Sequence, residues 1–142
     1  MFEYEIDLTW QEGRKGNVSS PALPLTIEVA TPPEFPKGVP GIWSPEHFFV
    51  AAINSCLMTT FLAIAENSKL EFLKFDSRAI GKVDKVEGKY TITEVILRPV
   101  LVIDNPEHQD KAKRILEMSE KACMISNSIT SKITLEPTVL VQ

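Results

Sequence analysis

Cysteine is scarce in this sequence, with Cys56 and Cys123 the two in 142 residues. So few exclude a disulfide scaffold, and a permanent bridge between them would be unusual in a reducing compartment. Packing or thiol chemistry remains for the pair. Histidine is equally rare: His47 and His108 lie far apart, and no CxxC pair, HExxH or glycine-rich phosphate loop occurs. No metal or other cofactor is therefore expected. Positive charge is also short, with 15 Lys and Arg against 19 Asp and Glu, a net charge of -4 and no basic cluster. That balance offers phosphates no field, so nucleic acid is not an expected partner. The start, MFEYEIDLTW, lacks the basic residues and continuous apolar run of a signal peptide, which implies a cytoplasmic protein.

What is present is ordinary globular material, 44% apolar and 24% charged, at a length that fits a single domain over residues 1–142. Phe2, Tyr4, Ile6, Leu8 and Trp10 alternate with polar residues, the period of a strand with one wet face. QEGRKGN reads as a turn, and Leu25, Ile27 and Val29 continue the alternation. Residues 31–41 hold four prolines and two glycines and are predicted to be an irregular loop.

Ser44 is placed to cap a helix, Pro45 fits its first position, and Glu46 puts an acid in its first turn. Nothing breaks that helix before about Glu66, and its apolar residues point around nearly the whole circumference, which predicts burial on most sides. A membrane span is the rival reading. Asn54, Ser55, Thr59 and Thr60 interrupt the run, and the flanking acids favour a soluble protein without a membrane partner. A short chain has little material to surround such a helix, so burial across a homodimer is the economical solution.

Two or three strands follow, with VEGKY as a hairpin turn and Pro99 marking a bulge, bend or edge. A second helix starts at Asn105-Pro106, with Ala112, Ile115, Leu116, Ser119, Ala122 and Cys123 on one stripe. A last strand closes the chain, where Pro137 favours an edge. This order of segregated strands and helices indicates an α+β fold.

Cys56 alone reads as a small core residue, since free cysteines are often buried. Its polar neighbours in INSCLMTT leave a reactive role open, as does SNS at 126–128 for Cys123. Only the thiolate is a good nucleophile. Arg14 could supply the charge that favours it, or could be a solvated turn residue; Glu46 could be an ordinary first-turn acid. A Cys/His metal site using Cys56, Cys123 and His47 lacks ligand-pair spacing and a fourth ligand.

The combination of SPEHFFVAAINSC with a later ACMISNS at a helix end resembles the OsmC/Ohr family of osmotically inducible and organic hydroperoxide resistance proteins. Met124 stands where many relatives carry proline. The resemblance implies an OsmC-like fold in an intertwined homodimer, with antiparallel sheets around a long central helix and two sites at the subunit boundary. It implies a thiol-dependent peroxidase in which Cys56 is the peroxidatic and Cys123 the resolving cysteine, with Arg14 holding the thiolate and Glu46 orienting it. Organic hydroperoxide would be the substrate and an external dithiol, such as a lipoyl group, the reductant. A non-enzymatic module, binding an apolar ligand or sensing redox state through a Cys56–Cys123 bridge, is the alternative. Glu46 and Cys56 are about 15 Å apart along an unbroken helix at 1.5 Å per residue. Either the helix breaks between them or Glu46 reaches the cysteine of the partner subunit, and the second is expected.

Overall fold

The computed structural model describes residues 1–142, and the chain divides into two compact units, Met1–Phe49 and Val50–Gln142. In the first, β1 (Asp7–Glu12), β2 (Lys15–Ser20) and β3 (Leu23–Ala30) form an antiparallel sheet in that order. The strand expected from Phe2 begins only at Asp7, because residues 1–6 find no partner within the chain and an isolated extended segment leaves its backbone groups unpaired. The alternation is real but faces no core: Phe2, Tyr4, Leu8, Trp10, Leu23 and Leu25 are all exposed.

Residues 31–41 are irregular, as their prolines require, and close on themselves through the Val39 N–H, which donates to the Thr31 carbonyl (2.9 Å). Ser44 then caps the long helix α1 (Pro45–Asn67). The His47 N–H donates to Ser44 Oγ, and the Ser44 N–H donates back to His47 Nδ1, both at 3.2 Å. This is a capping box with histidine in the place usually taken by Glu or Gln. It gives His47 a structural role at the helix start.

In the second unit, α1 buries Ile53, Leu57, Phe61 and Ala65, one stripe at four-residue spacing. Met58 and Leu62 are about 40% exposed. Within the single chain α1 is thus buried on one face, not on most sides as its sequence predicts. By length and composition α1 would also suit a membrane crossing.

Strands β4 (Lys74–Val86) and β5 (Lys89–Ile103) form a long hairpin, closed by Glu87 and Gly88 at positive φ as a two-residue turn demands. Gly81 lies under α1, where an added Cβ would fall 2.5 Å from the Val50 side chain, so glycine is needed for that approach. β6 (Lys132–Leu135) and β7 (Thr138–Val141) both run parallel to β5. Their register is continuous, Glu94 facing Lys132 and Val100 facing Thr138, so they form one outer strand interrupted at Glu136-Pro137. Pro99 is neither at an edge nor in a bulge. It is buried in the central strand, paired with Ser77, and lies across from that interruption, where its missing N–H withdraws no ladder bond on that side. The β4–β5 irregularity falls instead between Lys82 and Val83.

Helix α2 (Gln109–Ala122) is entered through a 3-10 turn, Pro106–His108, in which the Asn105 side chain accepts the Glu107 N–H (2.9 Å). It buries Ala112, Ile115, Leu116 and Ser119 as its spacing predicts, while Ala122 is exposed. Phe61 and Ala65 of α1, Leu101 and Ile103 of β5, and Ala112, Ile115 and Leu116 of α2 make one core cluster. The fold is α+β, and its core fixes the relative position of α1 and the end of α2.

Candidate active site

Cys56 lies midway along α1, and its turn is fixed on the sheet two residues earlier. Asn54 Nδ2 donates to the Ser77 carbonyl (2.9 Å), while Ser77 Oγ donates to Asn54 Oδ1 (2.6 Å). The other hydroxyls of INSCLMTT divide between two tasks. Ser55 Oγ bonds back to the Ala51 carbonyl (2.7 Å) and Thr59 Oγ1 to the Cys56 carbonyl (3.2 Å), so both serve the helix itself. Thr60, one turn beyond the cysteine, places Oγ1 3.8 Å from Cys56 Sγ.

Cys123 ends α2, its N–H donating to the Glu120 carbonyl (3.2 Å), and it is fully buried. It reaches the Cys56 thiol as a hydrogen-bonding neighbour, so two residues 67 positions apart in the sequence (123 minus 56) share one site. The environment drives their acidities apart. Partial burial is the largest influence on Cys56 and opposes its ionisation. It is outweighed by hydrogen bonds from the Cys123 thiol, the Ile125 N–H, the Thr60 hydroxyl and the Met124 N–H, which together hold the Cys56 pKa below the usual thiol value. Burial likewise dominates at Cys123, where the hydrogen bond with Cys56 and the charge of Cys56 add to it. The Ser126 hydroxyl and N–H favour the Cys123 thiolate only in part, and its pKa is raised. Ionisation is therefore easier at Cys56 than at Cys123, and a charge on either disfavours a charge on the other. Exposure agrees: Cys56 is half-buried and reachable, whereas Cys123 is closed off.

Arg14 and Glu46 belong to the N-terminal unit. Arg14 lies in the β1–β2 turn with its side chain exposed and free of any ion pair, and its carbonyl accepts the Thr31 N–H (3.3 Å). Glu46 has a buried Oε1 without a hydrogen-bond partner. Helix α1 is unbroken from Pro45 to Asn67, which removes the alternative of a break and leaves Glu46 about 15 Å from Cys56 along one axis. Every group acting on the Cys56 thiol comes from residues 50–142.

The family model for OsmC-like proteins matches residues 38–138. The chain belongs to the OsmC-like protein family. An OsmC-like protein of unknown function from Vibrio cholerae has a solved structure that superposes with a TM-score of 0.87 at 25% identity, covering 96% of this chain and 99% of that one. An organic hydroperoxide resistance protein from Elizabethkingia anophelis gives 0.76 at 24%, covering 99% of both chains. In sequence, the uncharacterised protein YmaD of Bacillus subtilis is 28% identical over 96 residues, 66% of this chain. The chain spans 64% or less of the length of the curated relatives it matches.

Within this OsmC-like chain, the groups that sequence alone did not single out are the donors to sulfur. The Met124 and Ile125 N–H groups carry no side-chain signature, and Thr60 could not be told from Ser55 and Thr59 before the helix was seated. Thr60→Val keeps the shape and removes one donor. It is expected to raise the Cys56 pKa and slow its alkylation by iodoacetamide at neutral pH about threefold, the effect of one weak hydrogen bond to an anion. An unchanged alkylation profile against pH would show that Thr60 does not act on the sulfur.

Proposed function

We propose that this protein is a homodimeric, cysteine-based peroxidase that reduces organic hydroperoxides with electrons from an external dithiol. The observation that carries the reading is the Cys56–Cys123 pair: a reachable thiol made acidic beside a buried one kept protonated. Cys56 sulfur attacks the distal peroxide oxygen, the O–O bond breaks, and the alkoxide leaves and is protonated to an alcohol. Cys56 is left as a sulfenic acid. Cys123 sulfur then attacks Cys56 sulfur, the S–O bond breaks, and the hydroxide leaves as water. A dithiol, for which a lipoyl group is suited, restores both thiols by exchange.

A second copy of the chain answers two needs of the first. The N-terminal sheet has its apolar residues exposed, Trp10 at 74% and Leu25 at 75%, more than an isolated three-stranded sheet can leave in water and remain stable. Glu46 has a buried oxygen without a partner, and Arg14 has no counter-ion. In the proposed dimer, Arg14 and Glu46 of each chain complete the site around Cys56 of the other, Arg14 supporting the thiolate and Glu46 orienting Arg14. Such an enzyme would serve the oxidative stress response as an antioxidant in the cytoplasm.

Turnover tests the reading. With excess dihydrolipoamide or dithiothreitol, each subunit is expected to consume many equivalents of cumene hydroperoxide. Consumption that stops after one equivalent would overturn the enzyme in favour of a redox sensor.

A further inference from the structure

We propose that Ser126 is the positioning residue that turns Cys123 into a nucleophile once Cys56 has been oxidised. The proposal rests on the peroxidase reading and concerns its second step. Cys123 is fully buried, and burial disfavours the thiolate with which it must attack. Something nearby has to offset that cost.

The 3-10 turn Ser126–Ser128 follows directly on Cys123, and the Asn127 N–H donates to the Cys123 carbonyl (3.0 Å). Of the three polar side chains in this turn, two are already engaged. Asn127 Nδ2 donates to the Lys121 carbonyl (3.1 Å), and Ser128 Oγ donates to the Met124 carbonyl (2.8 Å). Ser126 Oγ alone is buried without a hydrogen bond of ordinary geometry. A buried hydroxyl in that condition is costly. The group it can serve is Cys123 sulfur, toward which both its hydroxyl and its N–H are favourable.

The order of events follows from charge. In the reduced protein, ionisation of Cys56 and the hydrogen bond between the thiols both work against a Cys123 thiolate. Conversion of Cys56 to its uncharged sulfenic acid removes the charge, leaving burial opposed by the two Ser126 donors. Cys123 then loses its proton and its electron pair forms the S–S bond, while the Cys56 S–O bond breaks and the hydroxide leaves as water. Cys123 is thus silent until there is a sulfenic acid to attack.

Single-turnover oxidation by cumene hydroperoxide separates the steps, since the first phase scales with peroxide and disulfide formation does not. In Ser126→Ala the disulfide phase is expected to slow about tenfold, as for loss of one hydrogen bond to a charged group, and its pH midpoint to move upward. Overoxidation of Cys56 to sulfinic acid should appear at lower peroxide. A disulfide phase with unchanged rate and midpoint would overturn the proposal. Thiolate absorbance provides an arm that needs no peroxide. In a Cys56→Ser background, adding Ser126→Ala should move the Cys123 titration to higher pH, and coincident curves would refute the proposal even if the protein proved not to be a peroxidase. Wild type left unoxidised by hydroperoxide, with the two titrations still distinct, would refute the peroxidase reading while leaving the interaction of Ser126 with Cys123 intact.

Discussion

Cys56→Ser is expected to abolish hydroperoxide consumption, by at least about a thousandfold, because a serine hydroxyl is neither ionised near neutral pH nor a competent nucleophile toward peroxide oxygen without a base. Little else should change, since Cys56 is half-buried and its sulfur has one side-chain oxygen neighbour, Thr60. Cys123→Ser behaves differently. It should retain peroxide attack but form no intramolecular disulfide, so that mass measurement finds sulfenic and then sulfinic acid on Cys56. The roles follow from access as well as acidity: Cys123 is sealed from solvent and cannot meet a bulky hydroperoxide first. Undiminished consumption in Cys56→Ser would end the mechanism.

Phe61→Ala is expected to cost about 3–5 kcal/mol of folding stability, the range for deleting a large buried aromatic. Its ring is fully buried, stacked on Phe75 with centroids 5.0 Å apart and edge-on to Phe72 at 5.2 Å. It stands where α1, β5 and α2 meet. A loss of this size is a large part of the about 5–15 kcal/mol that holds a typical domain together. The urea midpoint should fall sharply, and Cys123, carried by α2, should become accessible to alkylation. A loss below about 1 kcal/mol would show that the cluster does not carry the stability its burial implies.

Much of this was legible in the chain. Ser44 and Pro45 marked the start of α1, Asn105-Pro106 the entry to α2, and the three- and four-residue spacing from Ala112 to Ser119 its buried face. These features are local, so sequence carries them directly. The cysteine pair and the family were also visible from motifs. What was hidden depends on partners far along the chain. Ser77 was not recognisable as the anchor of Asn54, because 23 residues separate them. Pro99 read as a bulge, bend or edge since nothing in sequence tells that Glu136-Pro137 leaves a gap across from it. Ala122 has helical spacing yet faces solvent at the last residue of α2, while the next residue, Cys123, is buried. The exposed face of α1 and the exposed N-terminal strands are the same lesson at a larger scale: hydrophobic pattern reports that a surface is to be covered, not which molecule covers it.

The interruption at Glu136-Pro137 has a consequence beyond accommodating Pro99. β6 and β7 form the outer edge of the C-terminal sheet, and neither is longer than four residues. A proline and the exposed Arg98–Glu136 ion pair (2.8 Å) sit at or beside the break between them. A growing fibril needs a long uninterrupted row of backbone donors and acceptors on which to add the next chain. This edge offers two short rows with a charged gap between them, so along β6 and β7, unlike along the thirteen-residue β4 at the opposite edge, the sheet resists the addition of a stray strand.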